Sequence, residues 1–355
     1  MTILLSFIEL IAFIICVPVF AGEVKSIKSY KEKIALFNTF TDLNNTDFYK
    51  VPYSYEFHGV FKLEFPQEKI FHELYGMIHN PNSEIRAVSR TKDRIIFDTI
   101  YSTDQFSRRL NLTAPKKNQK KFLMLAGCSF TFGIGIPDNE TLNHFINTQD
   151  SDYFSYNYGL AGASIGYTLA LLKFDRSLES QLKFPKGDLV YFYIDSHLPR
   201  SVGSWPNVWM KDTPYFKPAY NNRMIYAGSV GQNYSAYRKG ALVLADILPD
   251  SVKKNRIIPR ISSADYEYYC SLVKEVETVW TKDLNKGKFL FVFHPLSVVD
   301  DNIVTCLKNQ NIDYIIPTVP GTHAELSIPL DYHPNAKFNK QFSEKILNHL
   351  TQKSN

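Results

Sequence analysis

Two short stretches carry side chains able to make and break bonds. The first is Lys121-Phe-Leu-Met-Leu-Ala-Gly-Cys-Ser-Phe-Thr-Phe-Gly-Ile-Gly135. Ser129 follows an apolar run, 122–126, short enough for a buried strand. Gly127 permits a sharp turn between the two, because it has no Cβ to clash at positive φ. A hydroxyl placed after such a turn, at the start of a helix, meets unpaired N–H groups that favour an anion. An alkoxide or a tetrahedral oxyanion is such an anion, so Ser129 is a candidate nucleophile. The same position also suits a plain helix cap.

The second stretch, Pro329-Leu-Asp-Tyr-His-Pro-Asn335, supplies a base. Pro334 suits a first helical position and pushes His333 out of the α region. His333 is thus expected on a loop at a helix start, with Asp331 two residues before it. Asp331 would orient the imidazole and stabilise the cation formed when His333 takes a proton. Together the three side chains suggest acyl transfer through a covalent intermediate.

The elements that must position them alternate. Strands are expected at 122–126, 156–160, 189–194, 289–293 and 312–316. Helices are expected at 141–148, 164–173, 266–284, 299–309 and 336–350. Cys270, Val273, Val276 and Trp280 share one face of the long helix. Phe338, Phe342, Ile346 and Leu350 do so in the last. This order implies an α/β fold with a mainly parallel sheet covered on both sides. Reactive groups then gather beyond the carboxyl ends of the strands.

The blocks containing Ser129 and His333 resemble those of the SGNH/GDSL hydrolase superfamily, whose Gly-Asp-Ser reads Gly127-Cys128-Ser129 here, followed by Phe-Thr-Phe-Gly. Its last block reads Asp331-Tyr-His333-Pro-Asn335. Its second block looks like Tyr156-Asn-Tyr-Gly-Leu-Ala-Gly162-Ala-Ser, in which Gly162 would supply a backbone N–H to the oxyanion hole beside that of Ser129. The similarity runs roughly from Lys120 to Leu350 and implies a three-layer α/β/α fold around a five-stranded sheet. It also implies that Ser129 rather than Cys128 is the nucleophile, leaving Cys128 as a small apolar group. The family's third block brings an Asn to the oxyanion hole, and here Asp188-Leu-Val-Tyr-Phe-Tyr-Ile-Asp-Ser-His-Leu-Pro-Arg200 has none. One register puts His197 there, the other Asp195; an oxyanion needs a donor, which His197 can be and an ionised Asp195 cannot. Many members also place the acid three residues before the His, where this chain has Leu330.

Residues 22–120 read as a separate, partly β module with turns at Asn44-Asn45, Asn80-Pro81-Asn82 and Ala114-Pro115. Within it, Tyr101, Asp104 and Arg108 match a segment found ahead of the first block in an uncharacterised bacterial subgroup. A structural flap packed on the sheet accounts for it, and 116–121 reads as a solvated linker. An insertion at about 198–261 carries Trp205, Trp209, Tyr215, Phe216, Tyr220, Tyr226, Tyr234 and Tyr237. Such rings either line a substrate mouth or pack beneath their own loop. Arg200 could meet an anionic substrate group, and His294 either lines the pocket or packs.

The first 21 residues are mostly apolar, interrupted by Ser6, Glu9 and Pro18, and end in Val19-Phe-Ala21. They read as a signal peptide for export, or as a retained membrane anchor. Membrane contact is expected only if the segment is kept. Lys25, Lys28, Lys31 and Lys33 follow it. Cys270 and Cys306 can pair in an oxidising compartment. The net charge of +5 is spread along 355 residues without a basic block, which argues against nucleic acid. No phosphate loop ending in Gly-Lys and no Cys/His cluster calls for a cofactor or a metal. The expected substrate is an acyl ester, with a glycan or lipid carrying it. An O-acyltransferase and an inactive carbohydrate-binding protein remain as alternatives on the same fold.

Overall fold

The computed structural model describes residues 78–89, 94–204, 212–221, 223–234 and 261–352 with their side chains, and Asn222 by its backbone alone. At 46–47, 53–57, 61–65, 70–72, 76–77 and 90–91 it describes backbone strands alone. The N-terminal apolar segment, Trp205, Trp209 and Tyr237 lie outside the described residues.

The N-terminal region forms small antiparallel units. β1 (Thr46–Asp47) joins β6 (Glu84–Thr91) and β7 (Ile95–Ser102) in one sheet. β2 (Tyr53–Phe57) pairs with β3 (Phe61–Phe65), and β4 (Ile70–His72) with β5 (Gly76–Ile78). Alternate residues of the β6–β7 hairpin, Ile85, Ala87, Phe97 and Tyr101, form one apolar face. That face covers Phe132, Ile134 and Ile136 of the loop carrying Ser129, together with Ile328 ahead of Asp331.

The chain then winds a parallel sheet. Its strands are β8 (Lys121–Gly127), β9 (Tyr153–Gly159), β10 (Gly187–Tyr193), β13 (Phe289–Phe293) and β14 (Tyr314–Ile315). Between β10 and β13, a two-stranded ribbon of β11 (Pro214–Pro218) and β12 (Met224–Ser229) lies outside the sheet. The sheet order β14-β13-β10-β8-β9 reverses between β8 and β10. In open α/β sheets that reversal opens a crevice beyond the carboxyl ends of the two strands. Ser129 follows β8 and His197 follows β10.

Among the described residues the α-helices, in chain order, are α1 (Ser129–Phe132), α2 (Leu142–Thr148), α3 (Ile165–Phe174), α4 (His197–Val202), α5 (Ser263–Thr278), α6 (Asp301–Asn309), α7 (His323–Leu326) and α8 (Ala336–Gln352). They cover both faces. Phe122, Met124, Tyr191, Phe289 and Phe291 pack with Leu169 of α3, Val273 of α5 and Ile303 of α6. Leu123, Leu125, Val190, Phe192 and Val292 pack with Ile146 of α2 and with Phe338, Phe342 and Ile346 of α8. Burial on both faces explains why these strands read as continuous apolar runs. α5 starts in a capping box between Ser262 and Asp265. Its expected continuation to residue 284 is instead a π-helical turn at Val279–Asp283, which keeps Trp280 buried.

The 116–121 stretch is largely exposed, as a solvated linker is, but tied down: Gln119 is buried and donates to the Tyr153 carbonyl, while Lys116 Nζ donates to the Thr148 carbonyl. One expectation is corrected. Pro334 is not the first helical residue. Asn335 caps α8 instead, its side chain accepting from the Phe338 N–H.

Cys270 of α5 and Cys306 of α6 form a disulfide with Cα atoms 6.2 Å apart and a sequence separation of 36. In the chain-entropy account a loop of this size is worth about 3–4 kcal/mol. Reduction should therefore lower the unfolding free energy by about that amount in urea titrations, and equal stability with and without reductant would contradict the bond.

Candidate active site

β8 ends at Gly127, whose φ of 154° falls where side chains are rarely tolerated; a Cβ there would lie 2.2 Å from Thr131 Oγ1. The chain turns at once into α1, with Cys128 as its N-cap and Ser129 as its first residue. α1 is only four residues long. The helix dipole invoked from sequence is therefore small, and local N–H groups must do what a long helix was expected to do. At the end of β9, Gly159 allows the two backbones to meet, since a Cβ would come 2.3 Å from the Phe132 nitrogen.

Three side chains hold this loop. Arg109 is fully buried and pairs with Asp138 at 2.6 Å. It also donates to the carbonyls of Gly133 at 3.1 Å and Ile136 at 2.8 Å, with its guanidinium against the Tyr101 and Phe132 rings. Asn157 Nδ2 donates to the Thr131 carbonyl at 2.8 Å. The Tyr101 hydroxyl accepts from the Gly135 N–H at 2.6 Å. Of the other motif residues, Asp104 pairs with Arg108, which reaches the Gln181 carbonyl and the Tyr158 hydroxyl. These contacts are structural, as a packed flap requires. Arg109 itself was missed by sequence reasoning. It stands beside Arg108, and nothing in one dimension distinguishes a buried arginine from an exposed one.

His333 comes from the opposite end of the chain. Its Nε2 lies 2.8 Å from Ser129 Oγ, and its Nδ1 lies 2.6 Å from Asp331 Oδ1. These contacts suit an imidazole with its N–H at Nδ1 facing the carboxylate and its lone pair at Nε2 facing the serine hydroxyl. The backbone between them is unusual. Leu330 and Tyr332 have φ of 68° and 69°, the left-handed region, although neither is glycine. These two conformations turn Asp331 and His333 inward while Tyr332 stays 60% exposed. Non-glycine residues held there cost about 1–3 kcal/mol each. The loop is fixed by the His333 carbonyl accepting from the Ile328 N–H, by the Ser327–Pro334 bridge, and by Asn335 donating to the Glu325 carbonyl.

The expected oxyanion groups lie at strand ends too. Gly162 takes φ of 83° at the third position of a tight turn closed by Ala163 N–H to the Leu160 carbonyl at 2.9 Å. His197 opens α4 and is fully buried, whereas Asp195 is exposed. Arg200, expected to meet a substrate anion, is 1% exposed and donates to the Ala163 carbonyl at 3.3 Å. Its guanidinium is thus turned onto the Gly162 turn rather than to solvent. His294 is buried between Phe130 and Phe338 and accepts the Leu296 N–H at Nδ1. Phe130 in turn leans on His333, with ring centroids 4.9 Å apart. Of the insertion's aromatics, Phe216 and Tyr226 pack on Phe174 and Tyr215 stacks on Tyr268, while Tyr220 is 96% exposed. Among the described residues, no group of three or more His, Cys, Asp and Glu is placed to hold a metal ion.

Burial keeps several imidazoles neutral. Desolvation, then Arg109, pushes His79 down from 6.5 to about 3. Desolvation, then His333 and His323, does the same to His294. His197 is held well below 6.5 by desolvation, then Arg200 and His294.

No family model matches the chain, and no curated protein matches it in sequence. Solved structures resemble it at low similarity. An acetyl xylan esterase from the rumen bacterium Butyrivibrio proteoclasticus is 9% identical over 69% of this chain and 66% of its own, with a TM-score of 0.38. A lipolytic protein of the G-D-S-L family from Veillonella parvula is 13% identical over 65% of this chain and 99% of its own, with a TM-score of 0.35. An acetylxylan esterase from Geobacillus stearothermophilus is 10% identical over 65% of this chain and 94% of its own, at 0.34. Scores this low carry no function across.

Two outcomes follow from the buried groups. Arg109→Met leaves Asp138 with the Ser102 N–H but no countercharge and frees two loop carbonyls, so it should destabilise the fold by about 3–5 kcal/mol in denaturant titrations. A loss under about 1 kcal/mol would contradict the clamp. In acid, the unfolded chain protonates His79, His197 and His294 near 6.5 while the folded chain does not. The unfolded state then binds more protons, so stability falls as pH drops below about 6.5, by up to about 1.4 kcal/mol per pH unit for each histidine. His294→Gln should remove one histidine's share of that slope, and an unchanged slope would show that His294 is already protonated in the fold.

Proposed function

We propose that this chain is a serine hydrolase of carboxylic esters, acting through an acyl-enzyme. The observation that carries the reading is the continuous hydrogen-bonded path from Ser129 Oγ through His333 to Asp331. Three groups from two distant segments have little reason to meet in this order for packing alone. In the proposed mechanism His333 takes the Ser129 proton through Nε2 as Oγ attacks the ester carbonyl. Asp331 steadies the imidazolium. The N–H groups of Ser129 and Gly162, with His197 Nε2–H, hold the oxyanion. His333 then protonates the leaving alcohol, and water, deprotonated by the same imidazole, releases the acid.

Short acyl groups, including O-acetyl groups of a glycan, are the proposed substrates. The described site is closely enclosed: Ser129 and His333 are both fully buried, with Phe130 packed between His333 and His294. Export through the N-terminal segment belongs to the same proposal. No described helix is long and apolar enough to cross a membrane.

Ser129→Ala should retain the melting temperature of the parent and lose turnover of a p-nitrophenyl acetate substrate by about 10⁶-fold, the cost of removing a serine nucleophile. Turnover within about tenfold of the parent would rule Ser129 out. Adding a sugar acceptor to the same assay separates hydrolysis from acyl transfer: transfer yields an acylated sugar in place of free acid.

A further inference from the structure

His197 stands where an oxyanion donor is needed, but a neutral imidazole is a donor at one nitrogen only. Which nitrogen carries the proton is set by the partner of the other. His197 Nδ1 lies 2.7 Å from the Tyr191 hydroxyl, and both side chains are fully buried. Nε2 is buried and has no hydrogen-bond partner among the described residues. A buried polar atom left in this state costs free energy and calls for a ligand.

The surroundings of His197 are those of Ser129. Arg200, whose guanidinium donates to the Ala163 carbonyl beside Gly162, acts electrostatically on His197. So does His294, whose ring meets Phe130, which meets His333. Tyr191 stands opposite Ala126 of β8, three residues before Ser129. The orphan nitrogen thus belongs to a residue linked through His294 and Phe130 to the side chains around Ser129.

Between a phenol and an imidazole, the phenol is the better proton donor and the imidazole nitrogen the better acceptor. Burial holds the Tyr191 hydroxyl well above its ordinary value, so its proton is retained. The nearby Tyr269 hydroxyl is buried and makes no hydrogen bond among the described residues, so it does not compete with His197 for the Tyr191 proton. We propose that Tyr191 is the positioning residue of the oxyanion hole: its hydroxyl donates to His197 Nδ1, which fixes the proton on Nε2 and aims that N–H at the developing oxyanion. The pair Tyr191–His197 would thereby do what a single Asn amide does in the resembled family. This rests on the esterase reading for its purpose but not for its test.

The test reads the tautomer directly. Histidine-selective nitrogen labelling and long-range proton–nitrogen spectra, with His197 assigned through His197→Asn, should show the Nε2–H form in the parent. In Tyr191→Phe the Nδ1–H form should appear. An Nδ1–H signature in the parent, or a spectrum unchanged by Tyr191→Phe, would overturn the proposal whether or not the protein hydrolyses esters. With an ester substrate, Tyr191→Phe should lower kcat by about tenfold or more with KM within about twofold, short of the 10²–10³ for a lost donor. In a His197→Asn background the same substitution should cost under about threefold, because an amide has no tautomer to set. Equal losses in both backgrounds would mean that Tyr191 only packs.

Discussion

One contact, from His333 Nε2 to Ser129 Oγ, ties the last loop of the chain to the first strand of its sheet across 204 positions. Much of the surrounding structure supports it. Ser129 must leave β8 at a turn only glycine tolerates, and His333 must leave its loop between two left-handed residues. The first is held by Arg109, Asn157 and Tyr101, and the second by the caps and bridges around Asn335. Backbone strain at Leu330 and Tyr332 is offset by these hydrogen bonds and by the apolar face of the β6–β7 hairpin, which covers both loops at once.

The sheet explains why these loops are neighbours. Its strand order reverses between β8 and β10, so the turn after each opens into a shared crevice. Ser129, the Gly162 turn and His197 come from three successive strand ends. The C-terminal helix α8, packed on the opposite face through Phe338, Phe342 and Ile346, brings the His333 loop over the same edge. Within this site the charges are buried and held. The imidazoles of His197 and His294 are kept neutral, Arg109 is paired with Asp138, and Arg200 is turned onto the Ala163 carbonyl, so Asp331 and His333 meet in a poorly hydrated setting, where electrostatic effects are large.

The alternation of strands and helices was legible because strands buried on both faces give apolar runs, while helices α5 and α8 show their stripes. Ser129, Asp331 and His333 were legible because glycine and proline punctuate the chain around them. What sequence could not give is direction. Tyr191 in an apolar strand reads as core, and its hydroxyl partner six residues later is visible only once β10 turns into α4. Arg109 and Arg200 look like surface charges until their carbonyl partners are seen. The shortness of α1 and the capping role of Asn335 depend on how Gly159 and Ser327 approach, contacts that no local pattern encodes.

The most direct measurement is to treat the folded protein with a fluorophosphonate and map the modified residue by peptide mass spectrometry. A hydroxyl activated by an adjacent imidazole should be labelled at Ser129, in the parent chain and not in a His333→Ala variant. Labelling elsewhere, or none in a correctly folded parent, would contradict the account.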